Sequence, residues 1–272
     1  MTRPARSADP RRIDRRGLIA DLRRLGLPAG ADVLVHCSMR QVGPVIGGAT
    51  AVVAAVREVL GTGATVVVPA QTAHNSTTSP AFRAATRGLD PAGVSRYIAT
   101  MQPFHVDRTP SRGMGALAEV VRRHPRARRS AHPQTSFAAV GPRAEEFMAE
   151  HELASHLGPR SPLGALYQAD AMVLLLGVGF SVCTAFHLAE YRQPAPRERG
   201  YECVVLDDGK RVVRRFVGLD LCDSDFAALG AEFAARDGSV RTGMVGNATG
   251  QLMPLRRAVD FAVGWMGEHR RP

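Results

Sequence analysis

Apolar residues along this chain follow two patterns. Over residues 13–25, Leu18, Leu22 and Leu25 share one face at helical spacing, and Gly26 and Pro28 follow as stop signals. Residues 32–37, 64–69, 135–140 and 171–176 are short, mostly apolar runs that read as strands. Helical spacing returns over 49–60, 113–123, 161–168, 223–236 and 254–268, and a helix opened by Pro142 carries Glu145 and Glu146. Two strand-like runs, 202–206 and 211–217, flank Asp208-Gly209 as a hairpin. Residues 71–112 form a long Thr-, Ser- and Pro-rich connection with one short helix, a length that points to function or disorder. Strands and helices alternate early and the hairpin comes late. The expectation is a single α/β domain over 13–272, a mixed central sheet flanked by helices, behind a disordered basic tail at 1–12.

Composition narrows the class. Hydrophobic residues at 45% and charged residues at 22% are those of a soluble globular protein. The best apolar run, 171–178, is strand-sized, so no membrane span is expected. The arginine-rich start leads into no apolar signal core, which points to a cytoplasmic protein. Cys37, Cys183, Cys203 and Cys222 lack C-x-x-C spacing and read as small buried thiols rather than zinc ligands or disulfides. The net charge of +10 comes almost wholly from arginine, Lys210 being the only lysine. Aromatic residues are 6% and no zinc-finger or RNA-binding signature occurs, so nucleic acid is not the expected partner. A solvated basic face or a seat for an anionic cofactor fits better.

Two segments carry chemistry. Val35 to Gly43, with His36, Ser38, Met39 and Arg40, reads as strand, tight loop and helix, and free backbone N–H groups at such a turn suit a phosphate. It is neither a Walker A loop nor a G-x-G-x-x-G fingerprint. After the strand at 171–176 and a glycine loop, residues 184–191 place His187 and Glu190 at i and i+3 on one helix face, where a carboxylate orients an imidazole for general-base work. His151 and His156 are five apart, which a regular helix does not bring to one metal. His124 and His132 read as structural, Asp207-Asp208 as turn residues, and Asp220, Asp223 and Asp225 as helix caps.

These segments, taken with three others, resemble the aminoglycoside 3-N-acetyltransferase family, the antibiotic N-acetyltransferases outside the GCN5-like group. The others are Asp107-Arg108-Thr109-Pro110-Ser111-Arg112-Gly113-Met114-Gly115, Arg129-Ser130-Ala131-His132-Pro133-Gln134-Thr135-Ser136-Phe137, and Ser161-Pro162-Leu163. They occur in the family's order over residues 32 to about 192. The resemblance implies an antibiotic N-acetyltransferase-like fold and acetyl-CoA as co-substrate, with no metal required. It implies His187 as catalytic base, Glu190 as its orienting neighbour, and His36, Ser38, Met39, Arg40, Thr109, Ser111, Met114, Ser136 and Phe137 along the CoA groove. Gln71 and His74 fall in the variable acceptor loop, and Asp107, Glu150 and Glu152 are the carboxylates offered to a polycation. Tyr191 departs from the family, whose members often carry a second His directly after the Glu.

The expected activity is acetylation of the 3-amino group of a 2-deoxystreptamine aminoglycoside, a resistance reaction, by direct transfer. Acetylation of another amine in a biosynthetic pathway is the enzymatic alternative, and a homodimer is compatible with either. A basic nucleic-acid-binding protein with a decayed site is the alternative of another class; retention of both His187 and Glu190 speaks against it.

Overall fold

The computed structural model describes residues 12–270. The N-terminal tail expected at 1–12 lies, apart from Arg12, outside them.

The valine-rich run Val33–Cys37 forms β1, pairing in parallel with β2 (Val66–Pro69) on one side and β5 (Met172–Leu176) on the other. These near-continuous apolar strands are covered on both faces, as a parallel centre requires. Antiparallel strands extend the sheet: β4 (Phe137–Val140) and the two-residue β3 (Arg128–Arg129) beyond β2, then β9 (Ala248–Pro254) and β8 (Arg241–Val245) beyond β5. The order across the seven-stranded sheet is β3-β4-β2-β1-β5-β9-β8. The fold is therefore mixed α/β, as the alternation of elements implied.

Side-chain alternation divides the helices between the two faces. Val33 and Val35 of β1 point to a core shared with α1 (Arg15–Leu25), α3 (Gly48–Leu60) and α6 (Gly115–Arg122). Leu34 points to the opposite core, built with α7 (Ala144–Met148), α8 (Pro162–Gln168), α10 (Phe226–Arg236) and α11 (Leu255–His269). The one-turn helices α2 (Met39–Val42) and α9 (His187–Glu190) sit where β1 and β5 leave the sheet. Helix ends are chemically marked. Asp14 accepts the Gly17 N–H at 2.7 Å, and Gly26 closes α1 in the left-handed region at φ 88°. Ser161 caps α8 with Pro162 in its first turn.

The structure corrects three sequence readings. The 71–112 connection holds two helices, α4 (Pro80–Ala85) and α5 (Pro91–Thr100), and a 3-10 turn at Ala73–Asn75, where one short helix was expected. Ser79-Pro80 and Asp90-Pro91 are the capping signals that start them. Strands β8 and β9 carry few β-branched residues and left no strand pattern, yet β9 pairs directly with β5. The hairpin is longer than expected: β6 (Glu198–Asp207) and β7 (Lys210–Leu219) form a separate two-stranded sheet. Its turn holds Asp208 and Gly209 at φ 46° and 74°, the left-handed pair a tight hairpin needs. Asn75 docks it to the main body, exchanging hydrogen bonds of 2.7 Å with both the N–H and the C=O of Val204.

The layout directs the site to one end of the sheet. The carboxyl ends of β1, β2 and β5 open together, the usual ligand position in such sheets. Two glycines keep that end tight. A Cβ on Gly177, just past β5, would lie 2.6 Å from Cβ of Gln41 in α2, and Gly177 also holds φ at 64°. A Cβ on Gly115, at φ 81°, would lie 3.2 Å from the Cys37 carbonyl. Gly177→Ala is therefore expected to destabilise the fold by roughly 1–3 kcal/mol, through strain and overpacking together. Denaturant unfolding checks this; an unchanged midpoint would contradict the close approach of α2 to β5.

Candidate active site

Beyond Leu176 the chain makes two 3-10 turns, Phe180–Val182 and Thr184–Phe186, before the single α-turn of α9. That turn preserves the i, i+3 geometry. His187 Nδ1 lies 2.6 Å from Glu190 Oε2. Leu188 and Ala189 are buried beneath, and the Phe226 ring packs against the imidazole with centroids 4.7 Å apart. The Glu190 side chain is only 5% exposed, so its charge must be met by protein groups. Its other oxygen, Oε1, accepts the Cys222 N–H at 2.9 Å and an N–H of Arg270. With both carboxylate oxygens acting as acceptors, Nδ1 of His187 carries the shared proton. Nε2 is left with no hydrogen-bond partner among the described residues and can accept a proton.

His187 lines a cleft of about 550 Å³ at the carboxyl end of the parallel strands. Cys37 and Ser38 follow β1 into it, Pro69 and Gln71 come from the end of β2, and Val178 from the end of β5. Met39 and Arg40 of α2 face Met114 and the first turn of α6 across it. The Ser38 N–H is taken by the Leu176 carbonyl at 2.9 Å, so the first free amides belong to Met39 and Arg40. His36 lies in the wall; burial pushes its pKa down to about 4, so it is neutral. Burial pushes the Cys37 thiol up to about 12, leaving no thiolate for an acetyl-enzyme at neutral pH.

Not every residue singled out from sequence meets here. His36, Ser38, Met39, Arg40, Gln71, Met114 and His187 line the cleft, and Glu190 stands behind His187. Thr109 and Ser111 build the turn before α6 instead. The Thr109 hydroxyl accepts the His105 N–H, while the Ser111 N–H and hydroxyl both donate to Glu119 at 2.8 and 2.7 Å. Ser136 donates to the Ala70 carbonyl, and Phe137 is fully buried in the α10/α11 core. His74 sits in the 3-10 turn at Ala73–Asn75, outside the cleft lining. Asp107 is exposed on a separate basic hollow beside Arg108, Arg122 and Arg123. Glu150 and Glu152 are both paired with Arg160, outside the cleft lining. The carboxylate that does reach the cleft is Asp223, exposed and without an ion pair among the described residues. Sequence reading took Asp220, Asp223 and Asp225 as helix caps. Asp225 does occupy the N-cap position of α10 but makes no capping bond; its carboxylate takes Arg270.

Behind the site, His132 packs between His151 and His156, with centroids 4.7 and 4.5 Å away. His132 Nδ1 accepts the Gln134 and Thr135 N–H groups, and Nε2 bonds the Leu153 carbonyl. His151 bonds Ser130 and the His156 carbonyl. These rings are framework, and among the described residues no cluster of three or more His, Cys, Asp or Glu is placed to hold a metal ion.

Comparison with known proteins identifies the family. Residues 34–267 match the family described as aminoglycoside 3-N-acetyltransferase. The aminoglycoside N(3')-acetyltransferase-like protein YokD of Bacillus subtilis is 36% identical over 92% of this chain and 91% of its own. Its crystal structure superposes with a TM-score of 0.86 at 34% identity, covering 94% of this chain and 99% of that one. Aminoglycoside N(3)-acetyltransferase VII of Streptomyces paromomycinus is 36% identical over 94% of this chain and 92% of its own. The structure titled AAC-IIIb binary with CoASH has a TM-score of 0.83 at 29% identity, covering 96% of this chain and all of that one. The fold is that of an N-acetyltransferase, and the chain belongs to the aminoglycoside 3-N-acetyltransferase family.

The buried histidines set a pH limit. Burial pushes His132 down to about 4, His151 to about 3 and His156 to about 2. In the unfolded chain each titrates near 6.5. As pH falls below 6.5 the unfolded state binds protons that the folded state refuses, so stability present above pH 6.5 is lost. Denaturant midpoints are expected to fall steadily from pH 6.5 to 5, where ordinary carboxylates remain ionised. A flat profile over that window would contradict the burial of these rings.

Proposed function

We propose that the protein transfers the acetyl group of acetyl-CoA to the 3-amino group of a 2-deoxystreptamine aminoglycoside, with His187 as general base. The observation that carries this reading is the His187–Glu190 pair, its Nε2 free, on the wall of the cleft. The amine lone pair attacks the thioester carbonyl carbon, and the proton lost from nitrogen passes to Nε2. Glu190 holds the ring in the tautomer that can accept it and stabilises the imidazolium that results. The oxyanion needs fixed donors, a role we assign to the free Met39 and Arg40 amides. Collapse breaks the C–S bond, and the imidazolium returns its proton to the departing thiolate, giving the amide and free CoA. Transfer is direct, because the Cys37 thiol is held protonated. Arg40, on the cleft wall, offers a charge-assisted contact to a CoA phosphate.

The acceptor is held by charge at short range. A polycation meets repulsion from a chain of net charge +10, screened beyond roughly 8–10 Å at physiological salt. Asp223 is the unpaired carboxylate within the cleft. The absence of Glu150, Glu152 and Asp107 from that lining favours a second reading, a smaller amine from a biosynthetic pathway.

His187→Ala is expected to lower kcat for thiol release by about a hundred-fold or more while leaving acetyl-CoA affinity, measured calorimetrically, unchanged. Near-normal turnover would remove His187 from the chemistry. Asp223→Asn is expected to raise KM for an aminoglycoside severalfold with little change in kcat. An unchanged KM would shift the balance to the smaller amine.

A further inference from the structure

Glu190 is engaged on both sides. One oxygen serves His187; the other takes Arg270, the residue that ends α11 and lies 80 positions away in sequence. Arg270 is itself fixed. Its guanidinium makes two bonds to Asp225, of 2.7 and 2.6 Å, and a third of 2.7 Å to the Cys222 carbonyl. The same Cys222 donates its N–H to Glu190. The chain end, the 220–225 loop and the His187 turn are thus joined through a single planar cation.

We propose that Arg270 is a positioning residue for acetyl transfer, which sets the orientation and basicity of His187 by holding the far oxygen of Glu190. The proposal rests on the reading of His187 as the base. Its physical content is charge balance. Glu190 and Asp225 are two carboxylates sharing one guanidinium. The fork matches both, which a lysine ammonium does not. Without the guanidinium, Glu190 either pulls harder on the imidazolium or takes up a proton itself; both raise the pH at which the dyad becomes an active base. Other ionisable groups face this cluster. Tyr191 and Tyr201 feel the charge of Glu190, and His156 that of His187. Asp223 stands on the cleft side, while Asp220 and Arg197 share with Arg270 a second cavity of about 500 Å³. Asp220 is already paired with Arg199, and burial pushes both tyrosines up, away from the working range.

The test is the pH dependence of kcat/KM on one acceptor, so that the amine's own ionisation is common to all variants. Arg270→Gln is expected to move the acid limb upward by about one pH unit, and Arg270→Lys by less. In a Glu190→Gln background the Arg270→Gln shift should vanish, because the carboxylate that transmits it is gone. The imidazole resonance of His187, followed by NMR in the free enzyme, should titrate in parallel. The Arg270 side chain is 24% exposed beside an open cavity, so its removal admits water rather than sealing a void. If Arg270→Gln does not fold, the smaller shift in Arg270→Lys carries the test. An unmoved limb in both, with only a lower melting temperature, would reduce Arg270 to a structural tie and overturn the proposal. A shift that persists in the Glu190→Gln background would overturn it too, since the charge would then act without Glu190. If Glu190→Gln alone leaves rate and limb unchanged, the dyad reading itself falls and takes this proposal with it.

Discussion

A carboxylate has been taken out of water at Glu190, and much of the second half of the chain is arranged to compensate it. Burying an unpaired carboxylate costs several kcal/mol, so the position is tenable only when both oxygens find donors. The donors come from three places far apart in sequence: the His187 ring in α9, the Cys222 amide in the 220–225 loop, and Arg270 at the end of α11. Meeting that one requirement fixes the imidazole and pins the loop that carries Asp223 to the cleft. It also ties the last described helix to the chemistry.

The first half of the chain contributes a floor rather than reacting groups. Parallel β1, β2 and β5 end together, and close approaches at Gly115 and Gly177 bring α6 and α2 against those ends. The cleft therefore opens between rigid elements, while the His187 imidazole sits on the single α-turn that follows two 3-10 turns, braced by Phe226. The proposed base is thus held locally between rigid walls, which suits an acyl transfer by proximity. The buried His132, His151 and His156 supply packing behind this arrangement, which is consistent with their being held neutral.

Much of this was legible from residues alone. Valine-rich runs marked the central strands, Ser161 and Gly26 marked helix ends, and the His187–Glu190 spacing marked the pair. These signals are local, and local signals survive without a structure. What escaped depends on distant partners. Arg270 looked like one more residue of a basic C-terminal stretch, because its role needs Glu190 and Asp225 to come to it. Asp225 looked like a helix cap and became an ion-pair partner. Glu150 and Glu152 offered charge on paper, but both pair with Arg160 and neither lines the cleft. Ser111 and Ser136 sit in motif segments and spend their hydroxyls on the framework. Strands β8 and β9 went unread because their residues carry weak β preference; β9 gains order from pairing with β5, and β8 from pairing with β9.

The most direct test of the whole account is product analysis. The protein is incubated with acetyl-CoA and either a 2-deoxystreptamine aminoglycoside or a simple monoamine, and the acetylated nitrogen is located by NMR. The account predicts a single acetyl group on the 3-amino nitrogen, formed with a higher kcat/KM than for the monoamine. Equal efficiency on the monoamine, acetylation at another nitrogen, or no transfer at all would contradict it.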